Sequence, residues 1–340
     1  DRPLVQVITT EYNPSIDYPE VPGFHSNFPL EMPAQEVIDR VALHLEATRY
    51  HGDALPRWWV NFGPGIMAGF LGSRVNSVPR TVWFEPAERR EARDIRLLYR
   101  PDNPWWLRVK ELTRAAVEAW EGQVQVCHTD LGGNLDVLAS FLTTETLLYD
   151  LYDAPQEIDR LVWHFNIVWL NYYDELDAII RPGCPGTSPW APIWSPDPCY
   201  MLQCDFSYMI SPEMFERFVL PDLNACCRHL QHGFYHLDGS GAIPHLDMLL
   251  SMPRLRGVQW IPGDGNPPPE EWLHLLKRIT DAGKLCQLYV TAEGALAIVK
   301  SLGGKGFLFA VRDEMSAEEA RAFLKVLGRE DVGRLARRSA

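Results

Sequence analysis

The stretch FYHLDGSGAIPHLDMLL, residues 234–250, ends an apolar run in His236 and Asp238 and then turns at two glycines. Successive side chains of a β-strand point to opposite faces, so two residues that lie two positions apart leave the same face and address one ligand or ion. An amphipathic segment begins at Pro244, and a second β-like run, GVQWIP, follows at 257–262. A strand, a loop, a helix and another strand in close succession predict a parallel sheet covered by helices.

The same alternation extends over most of the chain after residue 124. The predicted strands are LVQVITT (4–10), RWWVNF (57–62), VQVCHTD (124–130), SPWAPIW (188–194), MLQCD (201–205), GFYHLDG (233–239), GVQWIP (257–262), KLCQLYV (284–290) and GFLFAV (306–311). The predicted helices span 34–50, 144–151, 155–180, 212–231, 244–252, 269–282, 292–302 and 316–327. This order predicts an α/β fold, a (β/α)8 TIM barrel that occupies 1–340 as a single domain, with an elaborated and irregular N-terminal part over 1–120.

The composition is that of a globular protein, with 340 residues of which 46% are hydrophobic and 23% charged. The net charge of −13 argues against a nucleic-acid partner, because phosphate backbones are bound by clustered Lys and Arg. The seven cysteines show no CxxC pair and no disulfide pattern, which favours the reducing cytoplasm. Apolar runs long enough for a membrane helix do not occur, so a membrane is not expected as a partner either.

Ionisable and aromatic residues follow several of the predicted strands. In a (β/α)8 barrel the active site lies at the carboxyl ends of the strands, so these residues are the candidates for function. The candidate catalytic residues are His236, Asp238, Asp130 and Asp264, and the candidate substrate-binding residues are His128, Trp194, Trp260, Tyr289 and Arg312. Some have simpler interpretations: Asp130 as a helix cap, Asp264 as a turn former, and Arg312 as the partner of an acid beside it.

Four blocks of the sequence form a further pattern: LGGNLDVLASFL (131–142), LLYDLYDAPQEIDRLVWHF (147–165), SYMISPEMFERFVLPDL (207–223) and YHLDGSGAIPHLDMLLSMPRLRGVQWIPGDG (235–265). Together they resemble the uroporphyrinogen decarboxylase superfamily, in which a tetrapyrrole decarboxylase and cobalamin-linked methyltransferases share one barrel. The resemblance runs from roughly residue 120 to the C-terminus and is that of a divergent member. It implies the barrel fold and a homodimer.

The two branches of this superfamily place their chemistry differently. The decarboxylase holds acidic propionates with arginines near the N-terminus, whereas the matching segment here, VQVITTEYNPSIDYPE (5–20), has no paired arginines. Tetrapyrrole decarboxylation is therefore not expected. The methyltransferases bind zinc with a His-x-Cys and a second Cys near the last strand. This chain has His236 and Asp238 at the first position, and Arg312 and Asp313 but no cysteine at the second.

The replacement of cysteine by Asp238 changes the metal that is expected. A His and Asp site suits harder ions, so zinc, manganese, iron and the absence of any metal all stay open. The candidate ligands are His236, Asp238 and Cys204, of which Cys204 has the alternative of a buried packing residue. If a methyl group is transferred, the resemblance implies a corrinoid supplied by a partner protein, because the chain contains no cobalamin-binding segment.

These features predict an enzyme that acts on a small polar molecule. The first hypothesis is methyltransferase-like, metal-dependent chemistry. The second is acid–base or metal-assisted cleavage, by a lyase or hydrolase, of a small carbohydrate-like substrate, which several carboxylates and the 12 tryptophans favour. The third is a non-catalytic ligand-binding barrel that has lost the zinc cysteines.

Overall fold

A computed structural model describes residues 2–328 and 334–335 of the chain. The strands are β1 (Leu4–Thr10), β2 (Thr48–Gly52), β3 (Arg57–Trp59), β4 (Arg74–Val78), β5 (Thr81–Glu85), β6 (Gln125–Cys127), β7 (Cys199–Leu202), β8 (His232–Asp238), β9 (Leu255–Ile261), β10 (Leu285–Val290), β11 (Phe307–Val311) and β12 (Arg334–Leu335). The α-helices are α1 (Ala34–Glu46), α2 (Met67–Leu71), α3 (Pro104–Trp120), α4 (Asn134–Leu142), α5 (Thr144–Asp153), α6 (Pro155–Ile180), α7 (Pro212–Met214), α8 (Leu220–His229), α9 (Leu246–Ser251), α10 (Leu273–Asp281), α11 (Ala292–Leu302) and α12 (Ala317–Val326). Across these described residues, no helix is both long and apolar enough to cross a membrane.

The main sheet has eight strands in the order β12-β2-β1-β11-β10-β9-β8-β7. Neighbouring strands from β7 through β1 pair in parallel, and β2 and β12 are added antiparallel at the edge. Two small sheets accompany it: β3 pairs with β6 in parallel, and β4 and β5 form a hairpin. The carboxyl ends of six parallel strands therefore meet along one edge of the main sheet.

Eight parallel strands of the kind that the barrel prediction requires are present, but in two groups. Six belong to the main sheet, and β3 and β6 form a separate pair. In the described part of the chain, no ladder joins β1 to β3 or β6 to β7. The outer edge of β1 is instead paired with β2. The fold is α/β with a mostly parallel central sheet, and the predicted closed ring of ladders is not formed.

The prediction of a strand at SPWAPIW (188–194) is wrong. Its two prolines have no backbone N–H to donate to a ladder, and the segment is irregular, with one isolated bridge between Thr187 and Ser195 beside it. The segment lies between β6 and β7, where the backbone N–H of His128 donates to the carbonyl of Ser188 over 2.9 Å. An irregular segment therefore takes the place of a ladder at this seam.

Several helical regions also differ from the sequence-based expectation, and two of them have a clear local cause. The segment predicted as one helix over 212–231 contains a π-helical turn, Phe215–Val219, which ends two residues before Pro221, and this proline cannot donate a helical hydrogen bond. Within the N-terminal part, the sequence pattern does not indicate α3. The side chain of Asn103 caps it by accepting hydrogen bonds from two backbone N–H groups, and Pro104 occupies its first position. Residues 1–120 are therefore more regular than expected.

The sheet buries one face under helices and leaves the other partly open. Along β1, Val5 and Val7 are fully buried, whereas Leu4 and Ile8 on the opposite face are 45% and 49% exposed. A small apolar cluster fills part of this second face: Ala191, Ile193, Met201 and Phe234. Because Phe234 precedes His236 by two residues on β8, the space beyond this cluster, toward the carboxyl ends of the strands, is where the polar side chains lie.

Candidate functional site

Three side chains meet at the carboxyl ends of β7 and β8. Asp205 begins the 3-10 helix Asp205–Met209 after β7, and His236 and Asp238 lie two positions apart at the end of β8. Nε2 of His236 lies 3.9 Å from a carboxylate oxygen of Asp205 and 3.9 Å from one of Asp238. One ligand atom of each residue lies within 4.8 Å of the other two, and we call this group the His–Asp cluster.

Two glutamines fix the ring of His236. Residues 236, 259 and 287 are cross-strand neighbours on β8, β9 and β10. Gln259 donates its amide N–H to Oε1 of Gln287, so its own Oε1 faces Nδ1 of His236 and accepts a hydrogen bond from it. Nδ1 therefore carries the proton, and Nε2 of the neutral ring presents a lone pair. A hydrogen bond behind a histidine in this way is typical of metal ligands, since it fixes tautomer and orientation.

The His–Asp cluster brings three acceptor groups together. With the proton on Nδ1, the lone pair of Nε2 and the oxygens of Asp205 and Asp238 share one small space. Burial lowers the pKa of His236, and the charge of Asp238 opposes that shift. The side chain of His236 is 14% exposed, against 50% for Asp205 and 39% for Asp238. A cation bound between the three groups would relieve the repulsion between the two carboxylates.

Asp136, in the first turn of α4, positions Asp205 from behind. One of its carboxylate oxygens accepts a hydrogen bond from the backbone N–H of Asp205 over 3.0 Å, and the other accepts from Phe206 over 2.7 Å. Burial, followed by the nearby charge of Asp205, raises the pKa of Asp136 to about 7. A Cβ on Gly133 would lie 2.2 Å from the carbonyl oxygen of Gln203, so glycine there permits the close approach of α4 to the end of β7.

Asp130 adds a further carboxylate near the cluster. It is 4% exposed and accepts a hydrogen bond from the backbone N–H of Gly132 over 2.8 Å, which is the geometry of a loop cap. Burial raises the pKa of Asp130 to about 7. Burial, then the charges of Asp238 and Asp130, also raises the pKa of Asp205 to about 7, although water screens this half-exposed group. The region therefore holds carboxyl groups that exchange protons near neutral pH.

Two clefts adjoin the His–Asp cluster. The acidic cleft, of about 360 Å³, is lined by residues that include Trp83, Asp136, Gln203, Asp205, Phe206 and Met209. The arginine cleft, of about 560 Å³, is lined by residues that include Arg57, Trp59, Trp190, Tyr289, Ala310 and Arg312. Trp190 connects the arginine cleft to the cluster, because its ring centroid lies 5.2 Å from that of His236, with the planes at 80°. Both volumes suit small-molecule ligands.

The structure distributes the other predicted site residues over several places. Tyr289 and Arg312 line the arginine cleft together, with the guanidinium carbon 3.7 Å from the centre of the ring. Asp264 lies in an exposed loop after β9. His128 is fully buried, stacks on the ring of Tyr173 at 4.7 Å and places Nε2 3.5 Å from a carboxylate oxygen of Asp177 on α6. It therefore lies beneath α6 and does not line either cleft.

The two tryptophans expected as pocket walls lie elsewhere. Trp260 is buried and packs against Trp272 with ring centroids 5.1 Å apart; it must face away from its neighbour Gln259, which points to His236. Trp194 donates its indole N–H over 3.2 Å to Gln125, at the amino-terminal start of β6. Neither lines the arginine cleft or the acidic cleft.

Cys204 does not join His236 and Asp238. It is 2% exposed and belongs to the main hydrophobic core, and burial raises the pKa of its thiol well above the ordinary value. Its neighbour Asp205 belongs to the cluster instead, because the side chains of adjacent residues at the end of a strand point in opposite directions.

Sequence reasoning missed three residues that shape the site: Asp136, Gln259 and Gln287. The two glutamines carried a usable signal, since an amide within an apolar strand must find a hydrogen-bond partner when it is buried. Asp136 had no such signal, because an acid in the first turn of a helix is common for reasons of helix electrostatics alone.

No protein-family model and no curated protein matches the chain. Among solved structures, a methyltransferase from Methanosarcina mazei is similar, with a TM-score of 0.62 over 90% of this chain and 87% of the other, at 11% sequence identity. That structure supports a TIM-barrel-like arrangement of the α/β fold described above. The chain is therefore similar in fold to a methyltransferase, and at this identity the similarity concerns the fold alone.

Proposed function

We propose that this protein is a metal-dependent enzyme of the uroporphyrinogen decarboxylase superfamily that acts on a small polar molecule at the carboxyl edge of its sheet. One observation carries the proposal. Three acceptor atoms, from Asp205, His236 and Asp238, lie within 4.8 Å of one another, and the hydrogen bond to Gln259 leaves His236 without a proton to offer them. Such an arrangement is costly without a cation or a shared proton.

The donor set suits a divalent ion. One imidazole and two carboxylates match zinc, manganese or iron, and the lack of a thiolate makes the site harder than the zinc site of the related methyltransferases. Ligand atoms on one such ion lie about 3–3.5 Å apart, so the 3.9 Å separations from Nε2 of His236 require only a small closing movement. When bound, the ion would polarise a substrate oxygen and lower the pKa of a hydroxyl or water on it.

The residues around the cluster have separate roles in this proposal. Gln259 holds the His236 ring in its ligating tautomer, and Asp136 holds the loop that carries Asp205. Asp130 and Asp136, each with a pKa raised to about 7 mainly by burial, hold or accept a proton at working pH. The substrate enters at the carboxyl ends of the strands, along the face of the sheet that helices leave partly open.

Methyl transfer is the first reaction in this proposal, supported by the fold shared with a methyltransferase and by the resemblance of the sequence. The methyl group would pass between the small molecule and a corrinoid carried by a partner protein. Metal-assisted cleavage of a small substrate is the second, and the carboxyl groups of Asp130 and Asp136 with raised pKa values favour it. The two differ in requirement, since only methyl transfer needs a methyl carrier.

The decisive experiment measures the metal content of the protein purified without added metal or chelator. The wild type should carry close to one divalent ion per chain, and the double variant Asp205→Asn, Asp238→Asn should carry much less. Asp102→Asn, which changes an exposed aspartate elsewhere, is the matched control and should resemble the wild type. Equal metal in all three proteins, or none in any of them, would remove the metal from the proposal and leave acid–base cleavage or ligand binding.

A further inference from the structure

The arginine cleft has a charge opposite to that of the protein as a whole. The chain carries a net charge of −13, yet the described residues that line this cleft include two arginines and no Asp or Glu. The other cleft beside the His–Asp cluster is lined by Asp136 and Asp205. A positively lined cleft next to an acidic cluster indicates a ligand with one anionic end and one end that binds a cation.

Neither arginine is neutralised within the described part of the chain. Arg57 donates to Sγ of Cys127 over 3.3 Å and to the carbonyls of Pro189 and Trp190 over 2.7 and 3.0 Å, which fixes its guanidinium but leaves its charge uncompensated. Arg312 forms no ion pair there. The adjacent carboxylate of Asp313, its expected partner, instead accepts a hydrogen bond from the backbone N–H of Ala292 over 2.5 Å.

Arg312 is held in place by an aromatic ring. Its guanidinium carbon lies 3.7 Å from the ring centre of Tyr289, so the planar group stacks on the ring and keeps its N–H donors free at the edge. A guanidinium presented in this way matches the paired oxygens of a carboxylate or a phosphate.

The floor and wall of the cleft suit a flat, apolar body. Tyr289, Ala310 and Gln6 are cross-strand neighbours on β10, β11 and β1, and the small side chain of Ala310 leaves room between the other two. Trp59 and Trp190 form a corner, with ring centroids 6.3 Å apart at 41°. Aromatic walls of this kind stack on rings and on the apolar faces of sugars.

We propose that the arginine cleft binds a small ring-containing oxyanion, with its carboxylate or phosphate on Arg312 and its ring between Tyr289 and Trp190. Because Trp190 also packs on His236, the far end of the bound molecule reaches the His–Asp cluster. This inference rests on the proposed function, since it names the substrate class of the same site. The substrate is then an anionic ring compound with an oxygen group at the end opposite its anion.

The test titrates three probes into the protein in metal-free buffer: phenyl phosphate, benzoate and the neutral benzyl alcohol. Both anions should bind about tenfold or more tightly than the alcohol, since hydrogen bonds to a charged group are the strong ones. Tighter binding of phenyl phosphate would identify the oxyanion of the ligand as a phosphate, and tighter binding of benzoate would identify it as a carboxylate. Equal binding of the alcohol, or no binding of either anion, would overturn the proposal.

Three variants locate the binding. Arg312→Gln should weaken both anions about tenfold or more, whereas Arg321→Gln, an exposed arginine on α12, should leave them within about twofold. Ala310→Leu should fill the floor and weaken all three probes. If Arg312→Gln and Arg321→Gln behave alike, Arg312 is not the anion contact and the proposal fails.

The metal-site variant separates this proposal from the proposed function. Asp205→Asn, Asp238→Asn should lose metal yet bind the better anion as the wild type does, because neither aspartate lines the arginine cleft. Arg312→Gln should retain metal and lose the anion. A wild type that holds no metal but still prefers the anions would contradict the metal-dependent function alone. A wild type that holds metal but binds the alcohol as tightly as the anions would contradict the oxyanion site alone.

Discussion

Oε1 of Gln259 accepts a hydrogen bond from Nδ1–H of His236 on the neighbouring strand, and the amide of Gln259 is oriented in turn by the hydrogen bond that it donates to Gln287. The three residues pair in one cross-strand row, so the orientation of the histidine is determined by the sheet and not by a loop. Side chains placed on strands in this way are held more firmly than side chains on loops. Nε2 of His236 is thereby directed to the carboxylates at the end of β7 and β8.

Replacing Gln259 should lower the affinity for metal directly, and not only through a loss of stability. Gln259→Leu removes the acceptor for Nδ1, so the affinity for Mn²⁺ or Zn²⁺ should fall about tenfold to a hundredfold, which is the usual effect of losing a partner behind a histidine ligand. Isothermal titration at pH 7.5 measures it. Gln259→Glu keeps an acceptor for Nδ1 while losing the same bond to Gln287, so its metal affinity should stay near that of the wild type. Similar losses in both variants would show that the Gln287 bond, and not the tautomer, controls the site.

Asp136 should affect metal binding indirectly, through the loop that carries Asp205. Asp136→Ala leaves two backbone N–H groups, of Asp205 and Phe206, without their acceptor, and should lower the free energy of unfolding by about 2–4 kcal/mol. Urea unfolding measures this change. Metal affinity should also fall, because the loop that carries Asp205 loses its anchor. Asp136→Asn retains one acceptor oxygen and should lie between wild type and Asp136→Ala in both measurements. A full loss of metal with unchanged stability would instead make Asp136 a ligand.

The periodicity of strands made the central part of the site predictable. His236 and Asp238 were identified as a pair because alternate residues of a strand share a face, and the structure places them together. The same rule also predicts the orientation of Trp260. Gln259 lies on the same face as its cross-strand neighbour His236, so the adjacent Trp260 must face the helices. That step needs the cross-strand register, which single-sequence patterns do not supply. The prolines of 188–194 were a usable signal against a strand there.

Contacts between distant segments were beyond the reach of the sequence. The acceptor for the backbone N–H of Asp205 comes from Asp136, 69 residues earlier, and nothing in the local pattern of either segment indicates it. The arginine cleft likewise combines side chains from β1, β3, β10 and β11 with Trp190 from an irregular segment. Such sites depend on how the strands are ordered, and that order follows from packing of the whole sheet.

Divalent metal should stabilise the fold. An ion that binds the native state alone raises the free energy of unfolding by about 2.7 kcal/mol at a concentration one hundred times its dissociation constant. Adding Mn²⁺ to chelator-treated protein should therefore raise the melting temperature of the wild type and of Asp102→Asn by several degrees, and calorimetry measures it. The variant Asp205→Asn, Asp238→Asn should show little change. An equal rise in all three proteins would indicate metal binding elsewhere on this acidic chain.

A buried carboxyl group outside the His–Asp cluster should make the free energy of unfolding fall as pH rises. Asp222 on α8 is 6% exposed, accepts a hydrogen bond from Asn166 over 2.7 Å, and has a pKa that burial raises to about 7 from an ordinary value of 3.8. Between these values the folded state holds a proton that the unfolded state has released. Unfolding therefore releases a proton, and stability declines by about 1.4 kcal/mol for each pH unit in that window.

Asp222→Asn removes this titration while retaining an acceptor for Asn166. From pH 5 to pH 8 the wild type should lose about 2–3 kcal/mol relative to the variant, with the loss complete once pH exceeds the folded pKa of about 7. Urea unfolding at pH 5, 6, 7 and 8 measures the difference, and Asp102→Asn serves as the exposed control that should follow the wild type. If the difference between Asp222→Asn and wild type is the same at every pH, Asp222 is ionised in the folded protein throughout, and a partner for its charge must then be sought beside Asn166 and Cys226.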